Sequence, residues 1–256
     1  AVKSIEPIFI ASSLGPKISS IYILSKKASD IIYQIINVFT NSSFPSLISI
    51  NENNSLEDKY KLDLFSNSIY FLSTICFSFY IILNNYFLFF WVGEEFVISE
   101  ISVILFGTSS FLMVLMQYKI ILEYSKNNIQ RTSRILIFES ILRTLLFYLF
   151  IKIFGFNGGP ISVIISVLSF LFLVNKRVVI YKHLLPTLLI FLSSFLIIIL
   201  NLGSSLFLSI VLKVLFHVLA IILIFKIFKI FKKDIINAFN YSTNNVFEKI
   251  LKKLYI

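Results

Sequence analysis

Apolar residues along this chain come in long runs broken by short polar clusters, a pattern of helices in an apolar surrounding rather than of alternating strands. A bilayer crossing needs roughly 20 mainly apolar residues. Runs of about that kind fall at residues 18–39, 64–83, 97–122, 135–154, 160–174, 184–200 and 206–225, with a shorter one at 5–14. Residues 184–212 carry no charge but are too long for one crossing, and Asn201-Leu202-Gly203-Ser204-Ser205 supplies the turn that splits them. The connections at 51–61, 84–95, 125–134 and 175–183 are short and polar. The predicted fold is all-α, a polytopic membrane bundle of about seven full transmembrane helices plus a truncated N-terminal one.

Composition narrows the class further. Of the 256 residues 57% are hydrophobic and 14% charged, against about 45–50% and about 25% in soluble domains. The long runs also differ from the ~10-residue alternating segments of an outer-membrane barrel. Cys76 is the one cysteine, which leaves no disulfide framework and no thiolate metal cluster. The chain begins Ala1-Val2-Lys3 with neither an initiator Met nor a signal-peptide pattern, and is expected to be a fragment.

The net charge of +10 reads as topology before it reads as nucleic-acid binding, which is not expected. Sixteen Lys and Arg fall on alternate connections and the tail, among them Lys61, Lys126, Arg131, Arg134, Lys176 and Lys232. The opposite connections hold Lys17 and Lys152, and 84–100 carries Glu94, Glu95 and Glu100 with no base. The basic side, with the C-terminus, is therefore expected in the cytoplasm of a multi-pass cell-membrane protein. The tail from Lys226 is expected to lie on the anionic leaflet.

Some charges remain inside the runs: Lys26, Lys27, Asp30, Glu139, Arg143, Lys213 and His217. Such groups are costly in hydrocarbon and normally face a bundle interior or wet cavity. Ser19, Tyr22, Lys26, Asp30, Tyr33 and Asn37 recur at three or four residues, a polar stripe along 18–39 expected to line an aqueous cavity. Lys26 with Asp30, Glu139 with Arg143, and Lys213 with His217 are spaced i,i+4, so each is a candidate internal pair. Lys213, on a terminal helix, could instead snorkel.

Catalytic motifs are missing. Gly15-Pro16-Lys17 lacks the spacing of a phosphate loop. No His-Glu-x-x-His, zinc-type cluster or Gly-x-Ser-x-Gly elbow occurs, and Glu94-Glu95 reads as a solvated loop edge. No enzyme activity, metal or cofactor is expected.

Four local patterns in order resemble one family. They are Glu6-Pro7-Ile8-Phe9-Ile10 to Leu14-Gly15 followed by Ile21-Tyr22-Ile23-Leu24-Ser25-Lys26-Lys27; Phe44-Pro45-Ser46-Leu47; Phe90-Trp91-Val92-Gly93-Glu94-Glu95-Phe96; and Ile151 to Gly155 with Gly158-Gly159. Together they resemble the O-antigen (Wzx-like) polysaccharide flippases of the multidrug/oligosaccharidyl-lipid/polysaccharide exporter superfamily, over residues 6–174. Lys152 in place of Pro, Pro160 after Gly159, and Arg143 where Asn is expected depart from that pattern.

The resemblance implies a C-terminal half: a six-helix lobe at 1–175 with its first helix truncated, two further helices at 176–225, and a basic cytoplasmic tail at 226–256. It implies transport of a polyprenyl-pyrophosphate-linked oligosaccharide to the outer leaflet by alternating access, for O-antigen, capsule or exopolysaccharide synthesis. Substrate-binding residues would be Lys26, Arg143, Lys27, Tyr22 and Tyr33, with Asp30 and Glu139 orienting charges or coupling an ion. Partners would be the lipid-linked cargo, membrane lipids and the missing N-terminal half, with a polysaccharide polymerase as a further candidate. The alternatives are a cation-coupled multidrug antiporter of the same superfamily and a membrane glycosyltransferase or ligase.

Overall fold

The structure, a computed structural model, describes residues 2–53, 56–174, 181–199 and 206–228. Among these the chain is all helical. The helices are α1 (Val2–Leu14), α2 (Pro16–Ser42), α3 (Phe44–Asn53), α4 (Leu56–Trp91), α5 (Glu100–Ser125), α6 (Ile129–Phe154), α7 (Gly158–Val174), α8 (Tyr181–Ile199) and α9 (Leu206–Phe228). Short 3-10 turns at Glu94–Phe96 and Gly155–Asn157 precede α5 and α7. Every run expected to be a span is a helix. The expected turn at Asn201–Ser205 and the tail beyond residue 228 lie outside the described residues.

Two expected connections prove largely helical. Residues 51–61 fall on the end of α3 and the start of α4, and α4 runs through Asn84 and Asn85 to Trp91. The paired asparagines read as a loop, but a long apolar stretch continues past them, and Asn85 has a tertiary task. Its amide donates to the Ile98 carbonyl at 2.8 Å and accepts from the Ile98 N–H at 3.4 Å, which folds the returning chain against α4. Phe44-Pro45 closes α2 as expected, and it also opens α3, where proline suits the first turn.

Four stretches are long and apolar enough to cross a membrane: Lys61–Trp91, Glu100–Ser125, Ile129–Val174 and Phe207–Ile224. The third holds both α6 and α7, folded as a hairpin whose start and end meet where Arg131 Nη2 donates to the Leu173 carbonyl at 3.4 Å. Residues facing outward are apolar, such as Ile141, Leu145, Phe172 and Leu219. Residues packed inside include Ser25, Ser29, Ser73, Thr74, Ser78, Ser162 and Ser166. Their hydroxyls mostly donate to carbonyls one turn back, as Ser25 does to Ile21 at 2.7 Å and Ser162 to Gly159 at 2.6 Å. Small residues let helices approach closely, and apolar residues outside suit a hydrocarbon solvent. This distribution is compatible with a multi-pass membrane protein.

The bundle has two distinct ends. Lys17 meets Glu95 at 3.1 Å, and Ser102 donates to Asn157 at 2.7 Å, so the α1–α2 turn and both 3-10 turns share one end. Asn51 donates to Ser125 at 2.7 Å, placing the end of α3 beside the α5–α6 turn at the other. Lys126, Arg131 and Arg134 crowd that second end.

Candidate functional site

α1 and α2 form a hairpin, and the hairpin creates the site. Gly15 separates the helices with φ +94°, a backbone conformation that costs glycine little, and Pro16 opens α2. α2 then runs back along α1, with the Ser19 hydroxyl donating to the Pro7 carbonyl at 2.9 Å. Glu6 and Lys26 each lie about ten residues from the Gly15-Pro16 break, so the fold sets them opposite one another. Lys26 Nζ donates to Glu6 Oε2 at 2.6 Å, with side chains 15% and 4% exposed.

This pairing replaces the expected one. Lys26 was expected to bond Asp30 along its own helix; its partner is Glu6, across helices. The reason is geometric, because the bend at Gly15-Pro16 brings the Glu6 carboxylate of α1 to 2.6 Å from the Lys26 ammonium. Glu6 was missed because i,i+4 spacing finds only pairs within one helix. The signal was there: Glu6 is the lone acid in the first run. Asp30 is left half-buried, with no salt bridge or hydrogen bond among the described residues.

On α6 the expected pair forms. Arg143 Nε and Nη2 donate to the same Glu139 oxygen at 2.8 and 2.5 Å, and the residues are 5% and 1% exposed. Tyr33 on α2 lies within electrostatic reach of both Arg143 and Asp30. Asn37, one turn further, has a buried Oδ1 with no hydrogen-bond partner among the described residues.

Tyr22 and Lys27 take other places. Tyr22 is 2% exposed, its ring edge-on to Phe106 and Phe156 at centroid distances of 5.0 and 5.5 Å. A Cβ on Gly159 would overlap its hydroxyl, so α7 approaches α2 only because that position is glycine. The ring therefore braces α2, α5 and α7 and keeps no open face for a sugar. Lys27 is exposed, on a flank it shares with Ile23 and Ile31.

A second charged cluster joins α9 to α4. Lys213, a candidate partner of His217 that could instead snorkel, is 8% exposed; its ammonium donates to the Ile198 carbonyl at 3.1 Å and lies 5.6 Å from the Tyr86 ring centroid. His217 is fully buried with Nε2 2.9 Å from the Ser78 hydroxyl. The two residues thus bind neighbouring helices rather than one another. Among the described residues no cluster of His, Cys, Asp and Glu could hold a metal.

The chain matches no protein-family model, no curated protein and no solved structure. The site must speak through its own chemistry. It consists of two largely buried bases, Lys26 and Arg143, each neutralised by one carboxylate, with Asp30 one turn after Lys26 and in no salt bridge or hydrogen bond among the described residues.

Proposed function

We propose that the chain is part of a membrane flippase that carries a polyprenyl-pyrophosphate-linked oligosaccharide across the bilayer without covalent chemistry. In this reading α2 and α4 to α9 are the seven full spans and the C-terminus is cytoplasmic. The observation that carries the reading is that Lys26 on α2 and Arg143 on α6 are each largely buried and each held by a single carboxylate, Glu6 and Glu139.

Both bases are carboxylate-bound at rest, which keeps an empty site from holding naked cations in hydrocarbon. A diphosphate offers more acceptor oxygens than one carboxylate and would take over the Lys26 ammonium and part of the Arg143 fork. Glu6 and Glu139 then act as place-holders that the cargo displaces. Tyr33 lies beside that path and could offer its ring and hydroxyl to sugar, while Tyr22 holds the framework. Lys27, on the outer flank of α2, would face the partner half.

Undecaprenyl diphosphate binding to the purified chain in lipid nanodiscs tests the reading. Lys26→Ala and Arg143→Ala are each expected to weaken binding about tenfold or more, with Asp30→Asn binding more tightly than wild type when no cation is added. Unchanged binding in both base variants would end the flippase reading.

Asp30 favours a second reading, the cation-coupled antiporter. An acid free of its expected lysine can bind a proton or a monovalent cation. In that case Asp30→Asn removes cation-dependent stabilisation, and the two base variants leave it intact.

A further inference from the structure

The end of the bundle that carries Lys126, Arg131 and Arg134 is strongly basic, and among the described residues no acid forms a salt bridge with these three. Glu123, in the last turn of α5, is held by Lys119 at 3.0 Å and by the Asn128 amide at 2.9 Å, with Lys126 within electrostatic reach. Arg131 and Arg134 line a cleft of about 820 Å³ with Asn127 and Gln130.

The cleft continues in a direction that matters. Arg134, Phe138 and Leu142 follow at i, i+4 and i+8, one face of α6. Phe138 and Leu142 line an apolar groove of about 660 Å³ against Leu168 and Phe172 of α7. Arg131 reaches the far wall of that groove through its bond to the Leu173 carbonyl at 3.4 Å. Phe138 and Phe172 are 52% and 77% exposed, a cost in water but not in acyl chains. A basic cleft and an apolar groove thus lie next to one another along one helix pair, joined at the Arg131–Leu173 bond.

We propose that this cleft and groove hold an anionic phospholipid of the adjacent leaflet, its phosphate between Arg131 and Arg134 and one acyl chain along Phe138, Leu142 and Phe172. The occupant follows from the charge order: two unanswered guanidiniums with planar donor forks match phosphate oxygens, and only a lipid joins such a head to a tail at this spacing. The proposal rests on α6 and α7 lying in a bilayer and is independent of any cargo.

Native mass spectrometry of the purified chain in detergent, with added phosphatidylglycerol or phosphatidylcholine, tests it. The expected result is a first bound lipid that is phosphatidylglycerol in preference to phosphatidylcholine by about tenfold. Arg131→Gln with Arg134→Gln should abolish that preference, whereas Lys232→Gln with Lys233→Gln should leave it, which separates this site from the tail. Circular dichroism checks that both variants keep their helices; the arginines are exposed, so they should. Dihexanoyl phosphatidylglycerol should bind more weakly than the long-chain lipid, and Phe138→Ala should narrow that difference. Equal binding of the two headgroups, or a preference that survives the arginine pair, would each overturn the proposal.

Discussion

Replacing Glu6 by Leu isolates the energetics of the hairpin. The Glu6–Lys26 contact is 2.6 Å with side chains 4% and 15% exposed, so removing the acid leaves an ammonium buried without a counter-charge. Breaking such a pair from one side costs about 3–5 kcal/mol, most of it the stranded charge rather than the lost attraction. At roughly 2–4 °C per kcal/mol for a chain of this size, the unfolding midpoint should fall by about 6–20 °C. Replacing both partners, Glu6→Leu with Lys26→Met, removes the stranded charge and should return the midpoint close to wild type. Far-ultraviolet circular dichroism in detergent follows unfolding in all three proteins. A single variant as stable as wild type would show that Lys26 is solvated by another route. A double variant as weak as the single would show that the carboxylate's packing, not its charge, matters.

Three more perturbations follow from the packing. Gly159→Ala drives a methyl into the Tyr22 hydroxyl and should cost about 1–3 kcal/mol; Tyr22→Phe in the same chain should recover part of it, read as a midpoint shift. Lys213→Ala leaves the Ile198 carbonyl without its donor and should destabilise by about 1–3 kcal/mol, where a snorkelling lysine would make the change silent. In a Cys76→Ser background, Ser99→Cys and Lys126→Cys should react with an impermeant thiol reagent from opposite faces of the membrane; labelling of both from one face would contradict the two-ended bundle.

Helix existence was legible because run length and uniform apolarity survive any detail of packing. Helix ends were not: Asn84 and Asn85 look like a loop, yet Asn85 is a clasp for Ile98 and Asn84 is 2% exposed. Polarity alone cannot tell a solvated asparagine from one facing another helix. The polar stripe on α2 only partly matches the buried face: Ser19 and Tyr22 are buried and Lys26, Asp30, Tyr33 and Asn37 half-buried, while Ser25, Ser29, Ile36 and Thr40 beside it are buried too. Its chemistry read less well. Tyr22 and Tyr33 share a stripe, but the glycine that admits Tyr22 to a packed core lies 137 residues away. Glu139–Arg143 was visible because both partners sit on one helix, and Glu6–Lys26 was hidden because its register depends on where the hairpin bends.

Hairpin register also decides which of the two transport readings the charges favour. Had Lys26 bonded Asp30, the α2 stripe would be neutral within itself and Glu6 would be stranded on α1. With Lys26 on Glu6, the two bases are balanced by Glu6 and Glu139, and the one unbalanced charge of the stripe is negative, at Asp30. An anionic cargo must then overcome that charge as well as displace two carboxylates, so its binding should strengthen when Asp30 is neutralised or occupied by a cation. Coupling between cation and cargo is reciprocal by linkage. A flippase using this site would therefore bind diphosphate more tightly in the presence of the cation that Asp30 takes, and Asp30→Asn would abolish that dependence while keeping the affinity high. An antiporter would show the opposite sign, with cation and substrate competing for Asp30. Diphosphate titrations at low and high sodium, and at two pH values, separate the two by sign alone.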